Sequence, residues 1–565
     1  MKVTVMTGLP AEGDMNIYAG HFGAKLHKVK QRILVLFLFV ISADAYGQRN
    51  VEIYTEGHYE NRQFKDTIEL SNYLKNRQVS WVEEGYFFSG VDSIFRKEDG
   101  DLSVYLHKGK RYESEISKKK KIISSAKARL TYLVNNGYPF ASVFYDSLSL
   151  KDDVLLQGKL GINQGPEIRL DSLKLLEKVG VNYAYLSDLL ELRVGELFSE
   201  KDYQLIDSRI KRSSFLRLDR PKDIAFRKSK AQIFLDLSES KASQFEGVVG
   251  LQQDRSGGST PVGSLRLDTD NLFRSGHQFK FLWERFSEES QSLDLHYKHA
   301  FLFRSSVSPS FRFELLKQDT SFLTRTAGLG FNVFIFSNIQ LAANFESINA
   351  SLISNDIEVL QGRALADYRR SFYRVELTQG HANSLTTLRQ GLVWSASVGI
   401  GNKEIERNLS LPESYYDSIN LNTEFVEITG MLAYQLNLSR RSTFFHRLNF
   451  GMLYNDELLT NELYRLGGLN SIRGFNEKEF FAKNYLSSRI ELRSFFEQGS
   501  YLYVFYDQLF YKRDALTDSP IGLGLGFALE TRSGQFNFAL ASGNSNQQSI
   551  SFDELRAHFG YTATF

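Results

Sequence analysis

The sequence predicts an N-terminal α+β region followed by a 16-stranded antiparallel transmembrane β-barrel. Three observations carry this. The apolar period switches from a mixture of 3.6 and 2 to strict alternation near residue 243. The 565 residues hold 45 Phe and 28 Tyr but only 8 Pro, a balance that suits long strands with aromatic ends facing a bilayer interface. The mean hydropathy is −0.29, as expected when apolar and polar residues alternate and cancel.

The one sustained apolar run is Ile33–Ile41. It is far shorter than the ~20 residues a spanning helix needs. Lys25, Lys28, Lys30 and Arg32 precede it and Ala43-Asp44-Ala45 follows, the basic, apolar and small-residue order of a secretory signal peptide. Residues 1–47 are therefore expected to be a signal peptide, with a start codon that belongs further downstream, at Met15 or later. Export fits the absence of cysteine, which also excludes disulfides, thiolate metal sites and cysteine nucleophiles. The formal charge of +2 gives no reason to expect a nucleic-acid partner.

Between about 50 and 242 helical and strand periods recur in order. A helix is expected over Ile122–Asn135, stopped at Asn136-Gly137. Strands Ala141–Leu150 and Val154–Ile162 follow, around Lys151-Asp152-Asp153. Then come a strand at Ile168–Leu176, helices at Tyr183–Leu192 and Glu200–Ser213, and strands at Asp223–Phe226 and Ala231–Leu237. That β-α-α-β-β order makes a small α+β module. The basic run Lys118–Lys121 is read as a solvated helix end.

From residue 243 to 565, sixteen alternating segments can be placed. Leu293, Leu295 and Tyr297 interleave with Asp294, His296 and Lys298; Ile521, Leu523 and Leu525 alternate with Gly522 and Gly524. Charge on one face and aromatics on the other suit a wall with water inside and lipid outside. The barrel is expected to close between Phe245–Leu251 and Leu555–Phe565. No H-E-x-x-H, G-x-S-x-G or P-loop pattern occurs, so no enzyme, cofactor or metal is expected. Asp268-Thr269-Asp270-Asn271 is read as a hairpin turn rather than a calcium site.

Two sets of residues resemble a known family. Tyr132–Val143, Gly161–Leu173 and Leu189–Ile210 resemble POTRA domains, the polypeptide-transport-associated modules of barrel-assembly proteins. The resemblance divides the arm into a degenerate POTRA-like segment (48–109), a POTRA-like module (110–163) and a POTRA module (164–242), ahead of the barrel (243–565). Late in the barrel the long loop Asn455–Lys478 holds LYRLGGLNSIRGF, which resembles the lumen-inserted loop of BamA/TamA-like outer-membrane assembly proteins. Gly467, Gly468, Arg473, Gly474 and Phe475 occupy the motif positions. The resemblance implies that Arg473 folds back into the lumen and pairs with Glu491 and Asp507, whose strands alternate so that both carboxylates point inward. It implies that removing Arg473 would leave the two carboxylates with no counter-charge. One departure is Leu509, where the family tends to have glycine. The final strand, with Phe559, Tyr561 and Phe565 on one face, resembles the C-terminal β-signal of exported barrels.

The function implied is assembly, insertion or translocation of outer-membrane proteins. An arm in the periplasm would capture unfolded outer-membrane or secreted clients by adding strands to sheet edges. Outer-membrane lipid and periplasmic accessory proteins are the other expected partners. Two alternatives stay open: a passive channel or receptor barrel with a docking arm, and a two-partner secretion transporter.

Overall fold

The computed structural model describes residues 49–565 except 65–66, 87–88, 98–100, 112, 115–127, 152–153, 254–258, 337, 355–363, 381–390, 409–411, 418, 470, 498, 547 and 551–554. The signal-peptide reading, the Lys118–Lys121 run and most of the Ile122–Asn135 helix lie outside the described residues; a helical stretch is present at 128–134.

The chain divides into two compact units. One holds residues up to Val179 with Leu192–Asp207 and Leu218–Ser238; the other holds Glu239–Phe565 with Gly180–Glu191 and Ser208–Arg217. The boundary expected at 242/243 is therefore interleaved, because packing rather than chain order assigns these two stretches to the barrel unit.

In the first unit, residues 49–107 form hairpin, helix, hairpin. Arg49–Thr55 and His58–Phe64 pair, Thr67–Glu83 is helical, and Gly90–Arg96 pairs with Leu102–His107. Val51, Ile53, Phe64, Leu70, Leu74, Trp81, Val104 and Leu106 make its core. Its order, β-β-α-β-β, differs from the β-α-α-β-β order read over 164–240, so the two stretches are not element-by-element copies. Ser142–Lys151 and Val154–Asn163 form the expected antiparallel pair, and Glu113–Ser114 joins it in parallel. Arg169–Leu175, Asp223–Arg227 and Lys230–Leu235 form a three-stranded sheet.

The barrel is closed, antiparallel and sixteen-stranded when Leu516–Asp518 and Ile521–Glu530, which pair with the same neighbour, count as one strand interrupted at Ser519-Pro520. Proline lacks the N–H a ladder needs, which explains the break. Strand 1 (Gln244–Gln253) closes on strand 16 (Arg556–Thr564), from Gln244↔Thr564 to Gly250↔His558. The alternation has the expected sense: along strand 13 (Ser500–Arg513) Leu502 and Val504 are more than half exposed, whereas Tyr503, Phe505 and Asp507 are buried. An apolar exterior around a polar, filled interior is stable only against lipid. The barrel is thus a membrane-spanning one of outer-membrane type. The alternation through Leu293, Leu295 and Tyr297, which in sequence extends to His299 and Phe301, stops short of these two. Strand 4 (Gln291–Lys298) ends before them, and Phe301 adopts φ 51° in the following turn. Asp268 and Asp270 lie inside strand 2 (Ser259–Leu272), not in a turn; Asn271, at φ 72°, opens the turn. Among the described residues no acidic or histidine group is arranged to hold a metal.

Candidate functional site: a loop locked inside the lumen

Strand 11 (Ser442–Tyr454) and strand 12 (Asn484–Glu497) are joined by the long loop 455–483. The loop carries strand pairing of its own. Tyr464–Leu466 pairs with Phe480–Ala482 as a small antiparallel ladder at its waist. Beyond the waist, Gly467 (φ 131°) and Gly468 (φ 81°) take backbone conformations that side chains resist. A bridge between Gly468 and Ile472 closes the tip.

Arg473 is 2% exposed. Its Nε donates to Asp507 Oδ2 at 2.8 Å, Nη2 to Asp507 Oδ1 at 2.7 Å and Nη1 to Glu491 Oε1 at 2.8 Å. Its backbone N–H donates to Asp507 Oδ2 at 3.0 Å. The fork on Asp507 is the bidentate geometry that only a guanidinium offers. The guanidinium carbon also lies 3.6 Å from the centre of the Phe505 ring, a distance at which the ring face attracts a cation. Desolvating these charges is costly, and a geometry this complete is what offsets it.

The expectation that Arg473 is the sole counter-charge is corrected by the neighbours. Asp507 stands in register with Arg489, whose Nε is 3.7 Å from Asp507 Oδ1. Arg493 donates to Glu491 Oε2 from Nε at 2.9 Å and Nη2 at 2.7 Å. Three arginines therefore share two carboxylates. Both extra cations sit on the inner face of strand 12, a placement visible in the alternation, but only tertiary packing brings them to the loop.

The rest of the motif is placed by close packing. Gly474 has φ 91°, and a Cβ there would stand 2.7 Å from Gly543 N. Phe475, 1% exposed, packs with Leu466, Ile472, Phe480, Ala482 and Leu509. Leu509, the departure from the family pattern, is thus an apolar floor for the loop. Residues that sequence reasoning did not assign to the site complete it. Arg556 on strand 16 donates to Gly474 O at 3.1 Å and to Asn476 Oδ1. Arg489 donates to Leu469 O. Lys478 donates to Glu284 Oε2 and Ser292 Oγ, both at 2.8 Å. The tip is thereby tied to strand 3 (His277–Arg285) and to strands 4, 12, 13 and 16. Phe559 and Phe565 point outward and are about half exposed, and Tyr561 donates to Ser533 O at 2.8 Å.

No family profile and no curated protein matches the chain. Among solved structures, CdiB from Acinetobacter baumannii is similar at 14% identity, with 93% of this chain and 91% of that chain covered and a TM-score of 0.53. CdiB from Escherichia coli is similar at 13% identity, covering 95% and 94%, with a TM-score of 0.50. BamA from Haemophilus ducreyi lacking POTRA domains 1–3 gives a TM-score of 0.43 at 13% identity, covering 79% and 94%. At these identities the CdiB likeness establishes a shared fold over nearly the whole chain.

Proposed function

We propose that this protein moves client polypeptides into or across the outer membrane. In this reading the arm lies in the periplasm and its modules, POTRA-like in sequence, capture an extended chain on their sheet edges. The barrel then admits or templates the client. No nucleotide is needed, since burying apolar strands in lipid and forming their hydrogen bonds releases free energy. The observation that carries the reading is the Arg473 lock: its guanidinium is forked onto Asp507 inside a closed barrel, the arrangement the motif's resemblance implies. Translocation of one dedicated partner stays as a second reading, since the fold is shared with CdiB at TM-scores of 0.53 and 0.50.

The test is deletion of residues 50–163 from the full chain in liposomes, which leaves Gly180–Glu191 and Ser208–Arg217 of the barrel unit in place. Loss of client insertion or export with retention of a folded barrel supports the proposal. A pore whose conductance and activity survive the deletion returns the chain to the passive-channel reading.

A further inference from the structure

A second ion cluster lies in the same barrel, away from Arg473. Arg370 on strand 8 (Asp367–Gln379) and Lys403 on strand 9 (Gly391–Glu406) are direct cross-strand partners, and both point inward. Like charges in that position repel, and such a pair persists only if an anion sits between them. That anion comes from the loop. Glu462 accepts from Lys403 Nζ at 2.8 Å and from Arg370 Nη1 at 3.4 Å, and neither the Lys403 nor the Glu462 side chain has any exposed surface. The Glu462 carboxylate also accepts the Leu459 backbone N–H at 2.9 Å. Lys403 spends its other donors on the same stretch, Asn455 Oδ1 at 2.8 Å and Glu457 O. Every hydrogen bond described for this ammonium therefore goes to the first eight residues of the loop. Arg370 is held in turn against the Phe425 ring at 3.8 Å.

The cluster sits where three connections meet. Leu365 and Ala366 from the connection after strand 7 (Ile339–Leu352), Tyr415 and Tyr416 from that after strand 9, and Leu459 from the long loop pack together over Phe372 and Phe425. Asn461 Nδ2 donates to Ala366 O at 3.0 Å and Tyr415 OH to Leu365 O at 2.5 Å. All three connections lie at the end of the barrel opposite the one where strand 1 begins, as the antiparallel order requires.

We propose that Lys403, Arg370 and Glu462 form a clasp, separate from the Arg473 lock, that holds the base of the loop as part of a lid over this mouth. Arg473 positions the tip; the clasp positions the base. Opening the lumen at this end requires release of the clasp, whereas release of Arg473 frees only the tip. These are positioning residues, and the inference rests on loop geometry, not on the proposed function.

The chain has no cysteine, so Leu459→Cys installs a single reporter thiol in the buried lid. The full-length protein carrying it is reconstituted in liposomes, and labelling by a membrane-impermeant maleimide is timed alongside ion conductance. Glu462→Gln and Lys403→Met are each expected to turn slow labelling fast and to raise conductance. Lys403→Arg is expected to restore slow labelling, and Arg473→Ala to free the tip while labelling at Leu459 stays slow. If both clasp variants label and conduct like the parent, the clasp does not hold the lid. If Arg473→Ala alone opens the mouth, tip and base are one lock and the proposal of two fails. Should Glu462→Gln not fold, Lys403→Met decides alone, since it leaves Arg370 to neutralise the carboxylate. Client insertion is not a readout here, so either result leaves the transport reading to its own test.

Discussion

A Cβ on Gly522 would stand 2.1 Å from the carbonyl oxygen of Arg473. Strand 14 (Leu516–Asp518 with Ile521–Glu530) thus has a glycine where the loop tip touches the wall, in register with Asp507. The obstructing atom is backbone, so it cannot rotate away as a side chain would. Gly522→Ala is expected to leave the barrel closed but to push the tip off the wall and weaken the Arg473–Asp507 fork. Increased proteolysis within 467–478, with unchanged heat-modifiable migration of the barrel, checks this. Protection equal to wild type would show that the wall yields instead.

Arg473→Ala removes three charge-assisted bonds but leaves Arg489 and Arg493 beside the carboxylates. Each such bond contributes on the order of 1.5–3 kcal/mol, so the tip should be freed. The barrel should survive, because its ladder does not use Arg473. Client insertion should fall sharply under the proposed function. Arg473→Lys keeps the charge without the fork and should recover only part of the protection. A tip as protected in the alanine variant as in wild type would show that Arg556, Arg489 and Lys478 suffice.

The seam between strands 1 and 16 offers a further test. Val249 and Phe559 are register partners, and directly opposed residues on antiparallel strands have Cα atoms about 4.5–5.5 Å apart, within disulfide reach. Val249→Cys with Phe559→Cys, in a chain with no other cysteine, is expected to form a disulfide on oxidation. A control pair with Phe559→Cys shifted to Tyr561→Cys should crosslink less, since Tyr561 partners Gly247. Equal yields would mean that the seam's register is not the one described.

The arm should respond to acid. Burial alone would raise the Glu60 carboxyl, but hydrogen bonds from Tyr73 and Arg77 outweigh it and hold the group below its ordinary value. A carboxylate lowered in the folded state stabilises above its unfolded pKa, and that stabilisation is lost as pH falls through the folded value. Module 49–107 should therefore weaken below about pH 4.5, and Glu60→Gln should flatten the dependence. Trp81 fluorescence in a chain carrying Trp283→Phe and Trp394→Phe reads this module alone. An acid profile unchanged by Glu60→Gln would refute the assignment.

Much of this molecule is written in local pattern. Alternation, a property of each strand by itself, determined that the barrel exists, which residues face lipid, and that Glu491 and Asp507 point inward. Strand pairing in register then follows from neighbours in sequence. What sequence could not decide is what meets what across the lumen. Leu509 read as a departure from the family pattern and proved to be the floor under Phe475. Nothing in the local pattern marks Arg370 and Lys403 as sharing an anion, and only the folded loop shows Glu462 between them. Arg556, near the end of the chain, holds Gly474 some eighty positions earlier. Such contacts join residues with no periodic relation, and the energy of a buried charge depends on partners that closure of the whole barrel brings within reach. The wall is local physics. The locks are tertiary.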